Sequence, residues 1–187
     1  MIGSSPLAVE AMTAARLEHK IDRTITTNRG IVLESQPTYY FLSDAQACQL
    51  WNAHARKAHL AGTTCVTLRR SDHALEKRGV EWFDIIQDEK PPYEPFVLSG
   101  LWCLEFAAQA GATTVLLAGM DGWSSSPDVM DYFDGSLGKI KHNTDWSRDV
   151  IAPRCRLLAD KYPSVAWIQY GRPEFEVEAA NWTVVRL

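Results

Sequence analysis

Residues 99–123, SGLWCLEFAAQAGATTVLLAGMDGW, narrow what this chain can fold into more than any other stretch. Ser99 is placed to cap a helix in which Leu101, Leu104, Phe106, Ala107, Ala108 and Ala110 leave only Glu105 and Gln109 polar. Gly111 is placed to end that helix in the left-handed conformation. A helix so apolar must be largely buried. Residues 113–118 are β-rich and apolar without alternation, the pattern of a parallel strand covered on both faces. Gly119, Met120, Asp121, Gly122 and Trp123 follow at the strand's carboxyl end, where open α/β sheets bind their ligands.

The preceding chain repeats the alternation. Gly3, Ser4, Ser5 and Pro6 form a small polar loop entering an amphipathic helix over residues 7–19, with Leu7, Met12, Ala15 and Leu17 as its apolar points. Free amides at such a helix start, together with the helix dipole, suit phosphate. Only Met1 and Ile2 stand before the loop, so its leading strand is either a stub or has lost a longer start. Strands are expected at residues 23–27, 38–42 and 63–68, with a short one over 81–86. A helix runs from Ser43 and Asp44 to residue 61, with Gly62 as its stop. Asn28, Arg29 and Gly30 form a polar turn at a strand end.

Beyond Trp123, residues 124–141 are irregular. Asp145 is placed to cap a helix over 146–161 that is interrupted near Pro153, and strands are expected at 165–168 and 183–187 with a turn at 169–173. Strands alternating with helices give an α/β fold: a single Rossmann-like three-layer domain over residues 1–187 with a mainly parallel sheet, its first strand the stub or lost segment.

A chain of 187 residues buries roughly 70% of its extended surface. With 19 basic and 23 acidic residues, net charge -4, nothing calls for nucleic acid as a partner. No apolar run is long enough for a transmembrane segment and no basic-then-apolar leader is present, so the cytoplasm is the expected location. Cys48, Cys65, Cys103 and Cys155 are spaced as reduced core thiols. Seven tryptophans exceed the needs of such a core and suggest an aromatic interface, hence a homo-oligomer.

The dinucleotide-binding glycine pattern and the phosphate loop with its Lys-Ser or Lys-Thr are both absent. The ordered set Gly3-Ser4-Ser5-Pro6-Leu7, Thr27-Asn28-Arg29, Ser99-Gly100 before an alanine-rich helix, Gly119-Met120-Asp121 after a strand, and His142 before a final helix resembles the small bacterial sialyltransferases. It is also similar to the wider pterin-diphosphokinase-like group with a related Rossmann-like nucleotide site. The resemblance implies a nucleotide-sugar-dependent glycosyltransferase with no obligatory metal. Gly3, Ser4, Ser5, Asn28, Ser99, Gly100 and Asp121 would lie at the nucleotide, Tyr132 would bind the donor phosphate, and His142 would be general base on the acceptor hydroxyl. The partners are then a small-molecule nucleotide donor and an acceptor.

The match has departures: Ser4 and Ser5 stand where the family usually has an asparagine and a second glycine, and the arginine near Ser99 is absent. Two alternatives follow. A pterin-type diphosphokinase would use magnesium, for which Asp128, Asp131 and Asp134 offer hard ligands. A catalytically inactive nucleotide-binding or structural protein would need neither, and His142 would then only pack its loop. His54 and His59 are five apart, off a common helical face, and make a poor metal pair, so no metal ligand is assigned.

Overall fold

The computed structural model describes residues 1–3, 5, 7–42, 45–68, 84–87, 99–121 and 147–187. Their contacts divide the chain into two compact units: residues 1–20 with 104–187, and residues 21–103.

In the first unit, α1 (Ala8–Glu18) lies against β5 (Thr114–Ala118) and β6 (Ala166–Gly171). Ala11, Ala15, Ala118 and Tyr170 are buried together, and Met12, Leu116, Ile168 and Val185 close around them. Alanines on the helix face let its backbone come close to the sheet. Leu17, expected on that face, is 83% exposed, because alanine rather than leucine fills the narrow gap and the leucine falls outside it. Tyr170 fastens the far end of α1 by donating to Glu18 Oε2 at 2.6 Å and meeting His19 Nε2 at 2.9 Å.

β6 is flanked on both sides by parallel partners, β5 and β7 (Trp182–Arg186). It runs through Gln169, Tyr170 and Gly171, residues whose polarity and glycine predict a turn; Gln169 and Tyr170 are paired on both sides, and Gly171 pairs with Arg186 of β7. Ile2 forms a single parallel bridge to Ala118. A π-helical turn, Ser147–Ile151, passes into α5 (Ala152–Lys161) just before Pro153, where the missing proline amide breaks the regular ladder, as the sequence predicts. Asn181 ties β7 to the end of α5, its Nδ2 donating to the carbonyls of Ala159, Tyr162 and Val165 at 2.9–3.1 Å.

The second unit holds β1 (Ile25–Thr27), a single turn α2 (Gly30–Leu33), β2 (Tyr39–Phe41), α3 (Ala45–Leu60), β3 (Thr64–Leu68) and β4 (Ile85–Gln87). All neighbouring strands are parallel, in the order β1-β2-β3-β4. Gly62 ends α3 with φ 98, a value that favours glycine. α4 (Ser99–Gln109) begins in this unit and continues into the first. It is buried as its composition predicts, and Gly111 follows it with φ 86.

The fold is thus α/β with parallel sheets. The one continuous Rossmann-like sheet expected from the alternation is not seen: the described strands form a four-stranded and a three-stranded sheet. Alternation of strand and helix dictates that neighbours run parallel, but it carries no instruction about which strands pair. No described helix is long and apolar enough to cross a membrane.

Candidate functional site

The end of β5 in the first unit is built by close backbone approach. The Gly3 amide donates to Ala118 O at 2.7 Å, the Ala118 amide to Met1 O at 2.9 Å, and the Ser5 amide to Gly119 O at 3.2 Å. A Cβ on Gly3 would lie 2.2 Å from the Gly119 oxygen, and one on Gly119 would lie 2.6 Å from the Ala8 Cβ. Only glycine fits at either place. The same bonds occupy the Gly3 and Ser5 amides, so these two donors of the opening loop serve the strand end rather than pointing at an anion.

Asp121 is the hub of this region. The Ser5 hydroxyl donates to its Oδ2, and the Arg172 amide donates to Oδ1 at 3.0 Å. Its own carbonyl accepts from the Glu174 amide at 2.8 Å, while Gln169 Nε2 donates to the Met120 carbonyl at 2.8 Å. One buried carboxylate therefore ties together the opening loop, the exit of β5 and the exit of β6. Gly171, at φ 140, makes room for it, since a Cβ there would sit 2.0 Å from Oδ1. Burial pushes the Asp121 carboxyl above its usual range, against the opposing pull of the Ser5 and Arg172 hydrogen bonds; Glu174 nearby adds to the rise.

In the second unit the exit of β1 has a different character. Asn28 sits at φ 47, the one described residue other than glycine in the left-handed region. Its carbonyl accepts from the Tyr40 hydroxyl at 3.2 Å, and its side-chain Oδ1 is buried with no hydrogen-bond partner among the described residues. The Thr26 hydroxyl beside it is also buried without one. Thr27 meets the Cys103 sulfur, which brings the first turns of α4 next to this strand end. Ser99 is buried and Gly100 half-buried at the start of that helix.

Among the residues expected at a nucleotide, the structure gathers Gly3, Ser5 and Asp121 in the first unit, and places Asn28, Ser99 and Gly100 in the second. Ser4, Tyr132 and the expected base His142 lie outside the described residues. Gly171 and Arg172 escaped the sequence reading. The signal available is the Gly-Arg-Pro tripeptide closing an apolar strand, a pattern that equally predicts a turn.

Of the four thiols expected in the core, Cys65, Cys103 and Cys155 are free and buried, and the side chain of Cys48 lies outside those described. No protein-family model, no curated protein and no solved structure matches this chain.

Proposed function

We propose that this protein binds a nucleotide at the carboxyl end of the β1 strand and acts as a nucleotide-sugar-dependent glycosyltransferase. The observation that carries the reading is Asn28. A buried acceptor left unsatisfied costs about 1–3 kcal/mol, and the left-handed backbone, which asparagine tolerates better than other residues outside glycine, adds a smaller strain. Spending both at one residue, at the edge of a parallel sheet where ligands bind, is the mark of a group kept ready for a partner. A hydroxyl or amine of a nucleoside supplies the missing donor. Ser99 and Gly100, at the start of the neighbouring helix, lie on the donor side of the same site.

The chemistry comes from the sequence resemblance. His142 takes the proton of the acceptor hydroxyl, and Tyr132 hydrogen-bonds the phosphate of the departing nucleotide. Asp121 serves a different purpose in this reading: an acceptor-only carboxylate repels phosphate, and with Ser5 it fastens the strand ends.

Melting of the protein with cytidine, uridine, guanosine and adenosine nucleotides tests the proposal, since a ligand at about 100 times its Kd adds about 2.7 kcal/mol. One nucleotide is expected to stabilise without magnesium. Asn28→Gly removes the side chain while relieving the backbone, so it should keep or raise the melting temperature of the free protein and lose the nucleotide shift. An undiminished shift in that variant overturns the site. His142→Gln should lower turnover of a cytidine monophosphate sugar by about 10²- to 10⁴-fold at nearly constant nucleotide affinity. Stabilisation seen only with adenosine triphosphate and magnesium would instead indicate the diphosphokinase, and binding without turnover the inactive protein.

A further inference from the structure

His59, Cys65 and Asp84 come from three separate places in the second unit: the last turn of α3, the start of β3 and the residue before β4. Their ligand atoms, an imidazole nitrogen, a thiol sulfur and a carboxylate oxygen, all lie within 4.8 Å of one another. We propose that these three residues form a binding site for one divalent transition-metal ion of the zinc class, at the amino end of the sheet and away from Asn28.

The scaffold holding the three is already closed. Asp84 and Cys65 exchange two hydrogen bonds, Asp84 N to Cys65 O at 3.0 Å and Cys65 N to Asp84 Oδ2 at 2.7 Å. The end of α3 is locked onto β3 by bonds from Gly62 N to His59 O at 2.9 Å and from Thr63 N to Ala58 O at 3.0 Å. His59 Nδ1 stands 3.3 Å from Asp84 Oδ2. Bonds of about 2.0–2.3 Å to a tetrahedral ion put neighbouring ligand atoms roughly 3.3–3.8 Å apart, so closing on an ion takes side-chain shifts of about 1 Å.

The donor set also selects the ion. Sulfur, imidazole and carboxylate together suit zinc and its neighbours and do not suit magnesium or calcium, which take oxygen. A thiolate and a carboxylate neutralise a dication, so the partly buried site carries no net charge once the thiol proton has left to solvent. The cysteine is fully buried, whereas the His59 and Asp84 side chains are 29% and 42% exposed. The ion therefore enters from the solvent side, and water takes the fourth position there. Bound metal would pin β4, a strand of three residues, to the end of α3.

Cobalt(II), which takes zinc's geometry and absorbs light, tests this on the full chain stripped with chelator. One equivalent is expected to produce a thiolate-to-cobalt charge-transfer band and tetrahedral visible bands, and zinc should displace it. Cys65→Ser should abolish the charge-transfer band, and Cys48→Ser should retain it. His59→Gln changes a partly exposed side chain, so it should melt like the wild-type apoprotein while binding cobalt at least about tenfold more weakly, the lower end of what even an outer-shell change costs. No charge-transfer band in the wild type, a band that survives Cys65→Ser, or undiminished affinity in His59→Gln overturns the site.

Discussion

A methyl group at residue 171 has nowhere to go. Gly171→Ala would put a Cβ 2.0 Å from Asp121 Oδ1 on a backbone at φ 140, and strain together with overpacking should cost at least about 2 kcal/mol. Urea denaturation gives the value; a loss under about 0.5 kcal/mol would mean that the carboxylate does not hold the place described. Asp121 itself makes stability depend on pH. Its carboxyl is raised in the folded protein from the ordinary 3.8, so the folded state holds the proton more tightly than the unfolded one. Stability is therefore greatest below the unfolded value and falls as pH rises through the interval up to the folded value. Asp121→Asn has no such titration. Relative to wild type, the asparagine variant should gain stability as pH rises above the ordinary carboxylate value, and parallel stability profiles would refute the assignment.

At the scale of elements, α4 and α5 are joined by a pair that neither sequence pattern announces. Glu105 is 1% exposed on α4, and one of its oxygens accepts from Lys161 at the end of α5 and from the Tyr162 hydroxyl at 3.3 Å. Its polarity within an apolar helix was visible in the sequence, but the partner lies 56 residues away and was not. Lys161→Met should destabilise by roughly 1–3 kcal/mol, the cost of a buried acceptor losing its charged donor, with the partly exposed lysine and the remaining Tyr162 hydroxyl favouring the low end. Adding Glu105→Gln should recover part of that loss in the double variant, and strict additivity would show that the two side chains are independent. Inside α5, burial pushes the Cys155 thiol up to about 12. At pH 8 a thiol reagent should label it only after unfolding, and rapid labelling of Cys155 in the native protein would contradict that environment. Most elements were legible because each has a local cause: the small polar start at Ser99, glycine stops at Gly62 and Gly111, and the proline that interrupts the helix near residue 153. The single turn α2 was missed because Asn28-Arg29-Gly30 carries turn chemistry, and four helical residues leave no periodicity to detect.

At the scale of the whole molecule, what the sequence conceals is pairing. Parallel strands could be read from alternation, yet their division into two sheets depends on pairings between residues far apart in the chain, such as Thr114 with Ala166. Candidate site residues fared alike: Asp121 and Asn28 were found by their position after a strand, while the orphaned oxygen of Asn28 and the room left by Gly171 exist only in three dimensions. Three tryptophans, Trp102, Trp167 and Trp182, are buried within the chain, and the last two stack with ring centroids 5.8 Å apart. With net charge -4 and a pI near 5.7, solubility should pass through a minimum close to that pH; a turbidity scan that is flat across it would show that charge does not limit association. Finally, the three carbonyls gathered on the Asn181 amide give the protein a way to age. Amides are among the thermolabile groups of proteins, and hydrolysis of this one leaves a negative carboxylate facing three oxygens where a donor had stood. Such a change would loosen the last strand from α5, and Asn181→Asp should therefore lower the melting temperature.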